Sequence, residues 1–408
     1  MIATTPLSGT GEAVESVGSN TALSEFSLAA GGPTYRLLCR LKLADGMLGL
    51  CGRRIVFAML IGWLPPLLLS CLEGYGWSNV RIPFLRDASF HLRLLLAVPL
   101  LLAAEPVIHE WMRPLTGRFI ERGIIAGASR PGFDAAVARA QRLRDSVYPE
   151  LVILIAVLSV GIAVNWHRAA VLADSTWYSA LQDGARHVTL AGWWAGLISL
   201  PLFQFILFRW YFRLAIWARF LWGVSRLQLE LAPTQPDGAG GLGFVGSVTE
   251  GFWALMLAHG VIGAAVMAHG MLYGGMTLPQ YRLEVCALGV LTLLWVVVPL
   301  LPFAPTLHRA KRAGLNAYGY LSQQYAVDFD RKWMSGSVGD KELLGSGDIQ
   351  SLADLRNGYD VVKTMHLVPI GRDTVIRLLI FALIPVAPLA LTLVPLERLF
   401  GQLMSALF

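Results

Sequence analysis

The most suggestive polar groups of the sequence lie at the end of an apolar run. Glu105 follows the apolar residues 94–104, His109 comes four positions later, and Glu110 is its neighbour. Residues four apart share one face of a helix, so Glu105 and His109 could together handle a proton or a divalent cation. Ionisable groups at membrane depth usually line a pathway or pair with one another. The alternative is that all three mark the polar end of a helix, where Pro106 begins its exit.

A later apolar run contains His259 and His269, with Glu250 at its start. Ten residues of helix separate the histidines by about 15 Å, so they cannot ligate the same metal ion. Each could carry a proton, or each could be an ordinary hydrogen-bonding histidine of a helix bundle. Several glycines accompany them and favour close helix packing, so we expect this run to lie at the centre of the bundle.

Two pairs of charged residues flank the apolar runs. Arg209 and Arg213 are one helical turn apart and could clamp an anionic headgroup or substrate. The alternative is anchoring at the headgroup layer by long side chains that reach out of the apolar region. Asp87 and Arg93 lie six apart, hence on different faces of a regular helix, and are interpreted as a structural pair or interface anchor.

Two loops carry acidic residues. Asp237 begins a glycine-rich turn whose glycines match G-x-G-x-x-G, namely Gly238, Gly240, Gly241 and Gly243. No β-strand precedes this turn, so a dinucleotide site is excluded, and a tight turn packed under the bundle or a re-entrant loop remains. Residues 348–355 contain Asp348 and Asp354 at helical spacing with apolar residues and predict a cytoplasmic helix that docks on the membrane domain. Carboxylates six apart are not a catalytic pair.

These two loops also carry a resemblance. The strings PDGAGGLGF (236–244) and DIQSLADL (348–355), together with Arg209, Trp210 and Arg213, resemble a group of bacterial multi-pass membrane proteins with PD-x-AGGLGF and DIQSLADL loops. The resemblance extends from about residue 83 to about residue 388. It implies a bacterial inner-membrane protein and does not imply an activity.

The composition restricts the class of protein. Hydrophobic residues make up 55% of the 408 residues and charged residues only 15%, whereas soluble domains carry about 25% charged residues. The net charge of +6 comes from Arg and Lys that flank the apolar runs, so nucleic-acid binding is not expected. The spacing of the cysteines supports neither a zinc site nor a redox motif, and we expect free thiols, no metal and no cofactor. They are Cys39, Cys51, Cys71 and Cys286.

The apolar runs have the length of membrane-spanning helices. About 20 residues are needed to cross the hydrocarbon core, and a lipid-facing backbone must satisfy its own hydrogen bonds. The sequence therefore predicts an all-α, polytopic transmembrane helix bundle with about seven spans and amphipathic cytoplasmic helices. The predicted spans are residues 55–72, 91–109, 147–166, 188–208, 251–273, 283–303 and 375–395. The fourth helix is expected to continue to about residue 231, and the prolines of the last segment could make it re-entrant.

The distribution of basic residues predicts the orientation. If the N-terminus is cytoplasmic, the cytoplasmic parts contain 25 of the 33 Lys and Arg residues, and every alternate loop agrees with this assignment. The cytoplasmic connections are then 110–146, 209–249 and 304–372, and the C-terminus lies outside. Residues 1–33 have no basic residue and no apolar core of a signal peptide, so we expect a disordered tail before a single membrane domain, 34–408.

The sequence supports three functions in order. The first is a transporter or channel for protons, ions or a small solute, on the strength of Glu105 and the histidines. The second is a sensor or scaffold that binds a cytoplasmic protein through 304–372, and the third is an enzyme acting on lipid headgroups through Arg209, Arg213 and Asp237. No known catalytic motif occurs, which disfavours an enzyme. The expected partners are the lipid bilayer, a second copy of the chain and a cytoplasmic protein.

Overall fold

The described chain is a bundle of helices. The computed structural model describes residues 26–45, 48–171, 175–182, 185–334 and 347–391. Among these residues the strands, β1 (Ser179–Gln182) and β2 (Ala185–Val188), form one antiparallel hairpin. A 3-10 turn, Phe84–Arg86, precedes the third helix below. The helical segments are α1 (Pro33–Arg40), α2 (Cys51–Leu72), α3 (Ala88–Glu121), α4 (Gly127–Asp145), α5 (Val147–Val171), α6 (Leu190–Ser225), α7 (Gly243–Tyr273), α8 (Leu278–Trp333), α9 (Asp348–Thr364) and α10 (Arg372–Ala390). The predicted all-α class is confirmed.

The long helices are apolar enough to cross a membrane. Among the described residues this holds for α2, α3, α6, α7, α8 and α10, and α4 with α5 forms a further candidate bent by 40°. Each of the seven predicted spans overlaps one of these helices, with α5 supplying the third; residues 392–395 of the last predicted span lie outside the described residues. An α-helix satisfies its own backbone hydrogen bonds, as the bilayer core demands. The chain is therefore a membrane-embedded helix bundle.

Helix α7 forms the centre of the bundle, as its sequence predicts. In its most apolar window 72% of the residues are buried by protein, against 22–44% in the other single-helix candidates. The glycines make this possible: a Cβ on Gly260 would lie 2.2 Å from the carbonyl oxygen of Ala382 in α10, and one on Gly270 would meet the Tyr281 hydroxyl. Close approach of α10 and of the start of α8 thus depends on positions that have no side chain.

Two spans contain a π-helical stretch that the sequence analysis does not predict. Leu92–Ala97 in α3 and Ala195–Ser199 in α6 adopt this wider turn. Pro99 and Pro201 follow them within two residues, and a proline lacks the N–H of the usual i→i−4 bond and clashes with the carbonyl one turn earlier. Such stretches often accompany functional sites, because they redirect the side chains around them.

The two ends of the bundle differ. The hairpin end comprises β1, β2 and residues 73–87 and 274–277, where Arg81 N donates to Ser175 O and Tyr273 Oη donates to Arg86 O. The N-terminal end comprises residues 26–45 and 48–50, α4, 226–242 and 365–371. Here α6 ends at Ser225, earlier than the predicted residue 231, because the following residues pair with 124–125 instead: Glu230 N donates to Ile124 O.

A helical arm projects beyond the N-terminal end. Helix α8 has 56 residues, on the order of 80 Å at 1.5 Å per residue, which far exceeds a hydrocarbon core of about 30 Å. Its second half, Ala304–Trp333, and the antiparallel helix α9 form this arm. At the far end Trp333 Nε1 donates to the Asp348 carboxylate (2.9 Å), and near the bundle Val362 packs on Gly314. The docking helix predicted at 348–355 is therefore longer and packs on α8.

The expected disordered tail is wrong for its last residues. Residues 1–25 lie outside the described residues, but residues 26–32 run along the N-terminal end of the bundle with Phe26, Ser27, Leu28 and Ala29 each at most 3% exposed. Phe26 stacks on Phe220 of α6 with ring centroids 4.8 Å apart. Two apolar anchors and a few backbone contacts hold a segment whose Ser, Ala and Gly composition alone is typical of disorder.

Candidate functional site

Glu105 lies at the centre of a buried group of arginines. Its Oε1 accepts hydrogen bonds from Arg213 Nη1 (2.7 Å) and Arg209 Nη1 (3.4 Å), and its Oε2 contacts Arg54 Nη1. Arg54 lies in α2, and Arg209 and Arg213 lie in α6. All three side chains reach Glu105 of α3. The glutamate that the sequence singles out is therefore shared by three cations.

A second carboxylate completes this group. Glu150, in the first turn of α5, accepts a hydrogen bond from Arg209 Nε at 3.0 Å. Its other oxygen accepts from the backbone N–H of Thr34 at 2.9 Å and from the Thr34 hydroxyl. We call Arg54, Glu105, Glu150, Arg209 and Arg213 the arginine–glutamate cluster; each member is less than a tenth exposed. The cluster ties α1, α2, α3, α5 and α6 together.

This geometry changes the sequence interpretation of three residues. Both oxygens of Glu105 are engaged by arginines, so the residue is a paired carboxylate and has no oxygen directed at His109. Arg209 and Arg213 point into the bundle, where they are 6% and 4% exposed and donate to glutamates. Buried charges are tolerated only with partners of opposite sign, and removing one partner typically costs about 3–5 kcal/mol. The cluster therefore stabilises the arrangement of the helices that it joins.

Residues 26–32, which we call the covering segment, close the cluster from the N-terminal end. Ala29 O accepts a hydrogen bond from Arg213 Nη2 (3.3 Å), and Ser27 O accepts one from Arg144 Nη1 (2.8 Å). The Ser27 hydroxyl lies 2.7 Å from His109 Nδ1, so the predicted partner of Glu105 instead contacts this segment. Uncharged backbone carbonyls of the covering segment thus accept hydrogen bonds from the cationic side chains of Arg213 and Arg144.

Helix α1 follows the covering segment and is fixed at its far side. Tyr35 donates a hydrogen bond from its hydroxyl to Asp45 O at 2.7 Å. Burial, together with Cys39 and Asp45, raises the pKa of Tyr35 to about 12, so the phenol keeps its proton and remains a donor at physiological pH.

A polar cavity of about 160 Å³ lies at the hairpin end, between α3, α6, α7 and the β-hairpin. We call it the hairpin-end cavity. Asp87, Arg93, Trp177 and His269 line it, and Val188 of β2 closes one side. Asp87 is 6% exposed and accepts hydrogen bonds from Trp177 Nε1 (3.0 Å) and from Phe90 N (3.0 Å). Asp87 and Arg93, interpreted from the sequence as an anchor, therefore face one polar space.

Two polar atoms at or beside this cavity have no hydrogen-bond partner among the described residues. They are His269 Nδ1, which belongs to a cavity-lining residue, and Ser199 Oγ, whose neighbour Leu200 also lines the cavity. A buried polar group without a partner is costly unless water or a ligand supplies one. The cavity thus offers one polar atom, His269 Nδ1, that has no hydrogen-bond partner among the described residues.

The two histidines of α7 differ. His259 is 4% exposed, its Nδ1 lies 2.7 Å from Leu255 O, and its Nε2 lies 3.1 Å from the Tyr211 hydroxyl. It is a bundle histidine with both ring nitrogens engaged, in line with the simpler of the two sequence interpretations. His269 is the one of the pair that reaches a cavity.

Other sequence candidates have structural partners. Glu250 accepts from Arg377 Nη2 (2.9 Å) and ties α7 to α10. Asp348 binds Lys332 and Trp333 across the arm, and Asp354 accepts from Gln350 Nε2 (3.0 Å). Glu110 is exposed. None of these residues joins the cluster or the hairpin-end cavity.

The glycine-rich turn is held by its own aspartate. Asp237 accepts backbone hydrogen bonds from Ala239, Gly241 and Gly243 at 2.9–3.1 Å. Gly238, Gly240 and Gly241 have φ angles of +61°, +63° and +101°, which residues with side chains rarely adopt. Gly238 O accepts from His366 N at 2.7 Å, so the turn seats the chain that follows α9. It is a tight packed turn, one of the two alternatives left open by the sequence.

Sequence reasoning missed Arg54, Glu150 and the covering segment. A signal existed for Glu150, an acid inside the first turn of an apolar run, and for Arg54, which directly precedes another. Within the described residues no group of three or more His, Cys, Asp or Glu side chains is placed to hold a metal ion. The cysteines are free thiols, as expected.

No family model, curated protein or solved structure matches the chain.

Proposed function

We propose that the protein is a membrane transporter or channel for a small ionic solute that enters through the hairpin-end cavity. The observation that carries this proposal is a polar cavity between spanning helices that combines Arg93, Asp87 and an unpartnered nitrogen of His269. Charged groups in spanning helices are expensive and usually mark a solute pathway. A volume of about 160 Å³ suits an ion or a small organic solute and is below the range of drug-sized ligand sites.

The described conformation is closed between the two polar regions of α3. Ala97, Val98, Leu101 and Ala104, which separate Arg93 from Glu105, are each at most 1% exposed. Passage of a solute from the cavity to the other end of the bundle therefore requires a movement of the helices. The π-helical stretches of α3 and α6, with their prolines, provide weakened helix turns at the level of the cavity, where such a movement would cost least.

The test is flux into proteoliposomes that contain wild-type protein, Arg93→Gln or His269→Ala. Protons, K⁺, chloride and acetate serve as probes, and empty liposomes give the background. We expect flux of at least one probe with the wild type and a loss of about tenfold or more in Arg93→Gln, because a charged contact to a solute contributes about 1.5–3 kcal/mol.

Two matched controls exclude nonspecific effects. Arg282 is an exposed arginine at the start of α8 and His308 is an exposed histidine of the arm; Arg282→Gln and His308→Ala should retain wild-type flux. Equal flux in Arg93→Gln and Arg282→Gln, with all proteins folded, would contradict the role of the cavity.

We also propose that the bundle lies in a bacterial inner membrane with its N-terminal end in the cytoplasm. The excess of Lys and Arg in the parts at this end, and the resemblance carried by the loops 236–244 and 348–355, support this placement. An impermeant thiol reagent added to intact cells should label the exposed Cys71 at the hairpin end. Labelling only after cell disruption would reverse the orientation.

A second function, a scaffold for a cytoplasmic protein, is favoured by the helical arm. An open groove of about 620 Å³ runs between α8 and α9, and Tyr320, Leu321 and Ile349 are about half exposed or more. Exposed apolar groups that cluster are typical of interaction surfaces. Tyr320→Arg should then release a co-purifying protein without changing any flux. The lipid-enzyme hypothesis is not favoured, because the Asp237 carboxylate accepts three backbone hydrogen bonds of its own turn and is not a member of the arginine–glutamate cluster.

A further inference from the structure

We propose that the arginine–glutamate cluster is a binding site for a phosphate-type oxyanion, and that the covering segment occupies this site when the anion is absent. The proposal concerns the N-terminal end of the bundle and is independent of transport through the hairpin-end cavity. It predicts that the anion replaces Ala29 O of the covering segment on the Arg213 guanidinium.

The charge of the cluster is the first observation. Three guanidinium groups face two carboxylates, so one positive charge is left without a counterion among the described residues. All five side chains are less than a tenth exposed. An uncompensated charge in such a place is costly, and binding an anion removes that cost.

The second observation is an unused donor. Arg54 Nε is buried and has no hydrogen-bond partner among the described residues. The other nitrogens of this guanidinium contact Glu105 and, at 3.4 Å, Leu48 O. A guanidinium carries donors in a fixed fork that matches a phosphate or carboxylate. The Nε side of the Arg54 fork therefore has no oxygen acceptor, and the Cys51 thiol is a neighbour of this guanidinium.

The third observation is the kind of acceptor that now serves the cluster. Arg213 Nη2 donates to Ala29 O at 3.3 Å, and the bond from Arg54 to Leu48 O is similarly long. Charge-assisted bonds to an anionic oxygen are shorter, about 2.7–2.9 Å, and about twice as strong. The neutral carbonyls are thus weak substitutes at positions where oxyanion oxygens would bind better.

The covering segment is held by few contacts and is joined to α1 by two glycines. Gly31 and Gly32 have φ angles of +146° and +91°, so the link to α1 bends where there are no side chains. A Cβ at Gly31 would collide with Arg144. On the other side the segment depends on the contact of Phe26 with Phe220. Its withdrawal would expose Arg213 and release Arg144 from Ser27 O.

The oxyanion could be free phosphate or the headgroup of a lipid, because the covering segment closes the cluster on the side of the N-terminal end of the bundle. The measurement uses the full chain in a phosphate-free maltoside detergent. Inorganic phosphate is titrated calorimetrically, and retention of phosphatidate against phosphatidylcholine is measured by native mass spectrometry. Phosphate binding, phosphatidate retention, or both would support the oxyanion site and identify its source.

Variants separate the site from nonspecific charge. Phe26→Ala leaves every arginine in place and loosens the covering segment, so the affinity for the bound probe should rise about tenfold, since less of the protein is held in the closed form. Arg54→Gln should lower it about tenfold or more. Arg356→Gln, which removes an arginine whose side chain is 84% exposed, should change nothing.

The proposal is overturned if neither probe binds to the wild type. It is equally overturned if Phe26→Ala binds no more tightly than the wild type, or if folded Arg54→Gln binds as well as Arg356→Gln. Flux through the hairpin-end cavity is a separate measurement, so failure of one proposal does not imply failure of the other.

Discussion

Replacing Glu105 by Gln should destabilise the whole bundle. The change keeps the shape of the side chain but removes the charge shared by Arg54, Arg209 and Arg213, all of which are less than a tenth exposed. The excess of positive charge in the cluster doubles, and one donating amide group must face an arginine. Breaking a buried ion pair costs about 3–5 kcal/mol, a large part of a typical stability of about 5–15 kcal/mol.

The assay measures the unfolding of purified protein as a denaturing detergent is added, and unfolding is monitored through the helix content. Glu110→Gln is the matched control: it makes the same chemical change five residues later on the same helix, at an exposed position. Its effect should stay within about 0.5 kcal/mol. Equal stability of the two variants would refute the structural account of the cluster.

A double variant sharpens this test. If the penalty comes from unbalanced charge, Glu105→Gln combined with Arg213→Gln should be more stable than the sum of the single changes predicts, by about 0.5–3 kcal/mol. Strict additivity would mean that the two side chains do not interact. Because Glu105→Gln is expected to destabilise the fold, a loss of flux in this variant alone would not identify Glu105 as a proton carrier.

The remaining predictions concern packing and the glycine-rich turn. Gly260→Ala should destabilise the protein by about 2 kcal/mol or more, because its Cβ would lie 2.2 Å from Ala382 O, whereas Gly289→Ala, whose nearest contact is at 3.8 Å, should be nearly neutral in the same unfolding assay. Asp237→Ala removes an acceptor of three backbone N–H groups and should cost about 2–4 kcal/mol and speed proteolysis of the turn, whereas Asp354→Ala should do neither. Unchanged proteolysis of Asp237→Ala would contradict the role assigned to this carboxylate.

Hydropathy alone locates the long apolar helices of the described residues that are candidates to cross a membrane. The glycines of α7, such as Gly260, identify this helix as central, because a residue without a side chain is needed where another backbone approaches closely. The end of α6 at Ser225 is not predictable in this way, because it depends on pairing with residues 124–125 that are distant in sequence.

The sites show the same limit. Glu105 stands out in the sequence, but its partner Arg54 lies 51 residues away and resembles one more flanking charge. Pairing with His109, four residues on, follows from helix geometry alone and is not what the fold builds. The covering segment has a composition typical of disorder, and only Phe26 and Leu28 mark it as ordered. The hairpin-end cavity needs β1, which no periodicity in the sequence predicts.

The most direct test of the proposed pathway is reversible obstruction of the hairpin-end cavity. Val188→Cys is introduced together with Cys71→Ser and Cys286→Ser, which remove the exposed native thiols, and flux is measured before and after an impermeant, disulfide-forming thiol reagent. The control is His187→Cys, the exposed neighbour whose side chain leaves the other face of the strand. The account predicts that labelling blocks flux only at Val188→Cys and that a reducing agent restores it. Complete labelling of Val188→Cys with unchanged flux would contradict it.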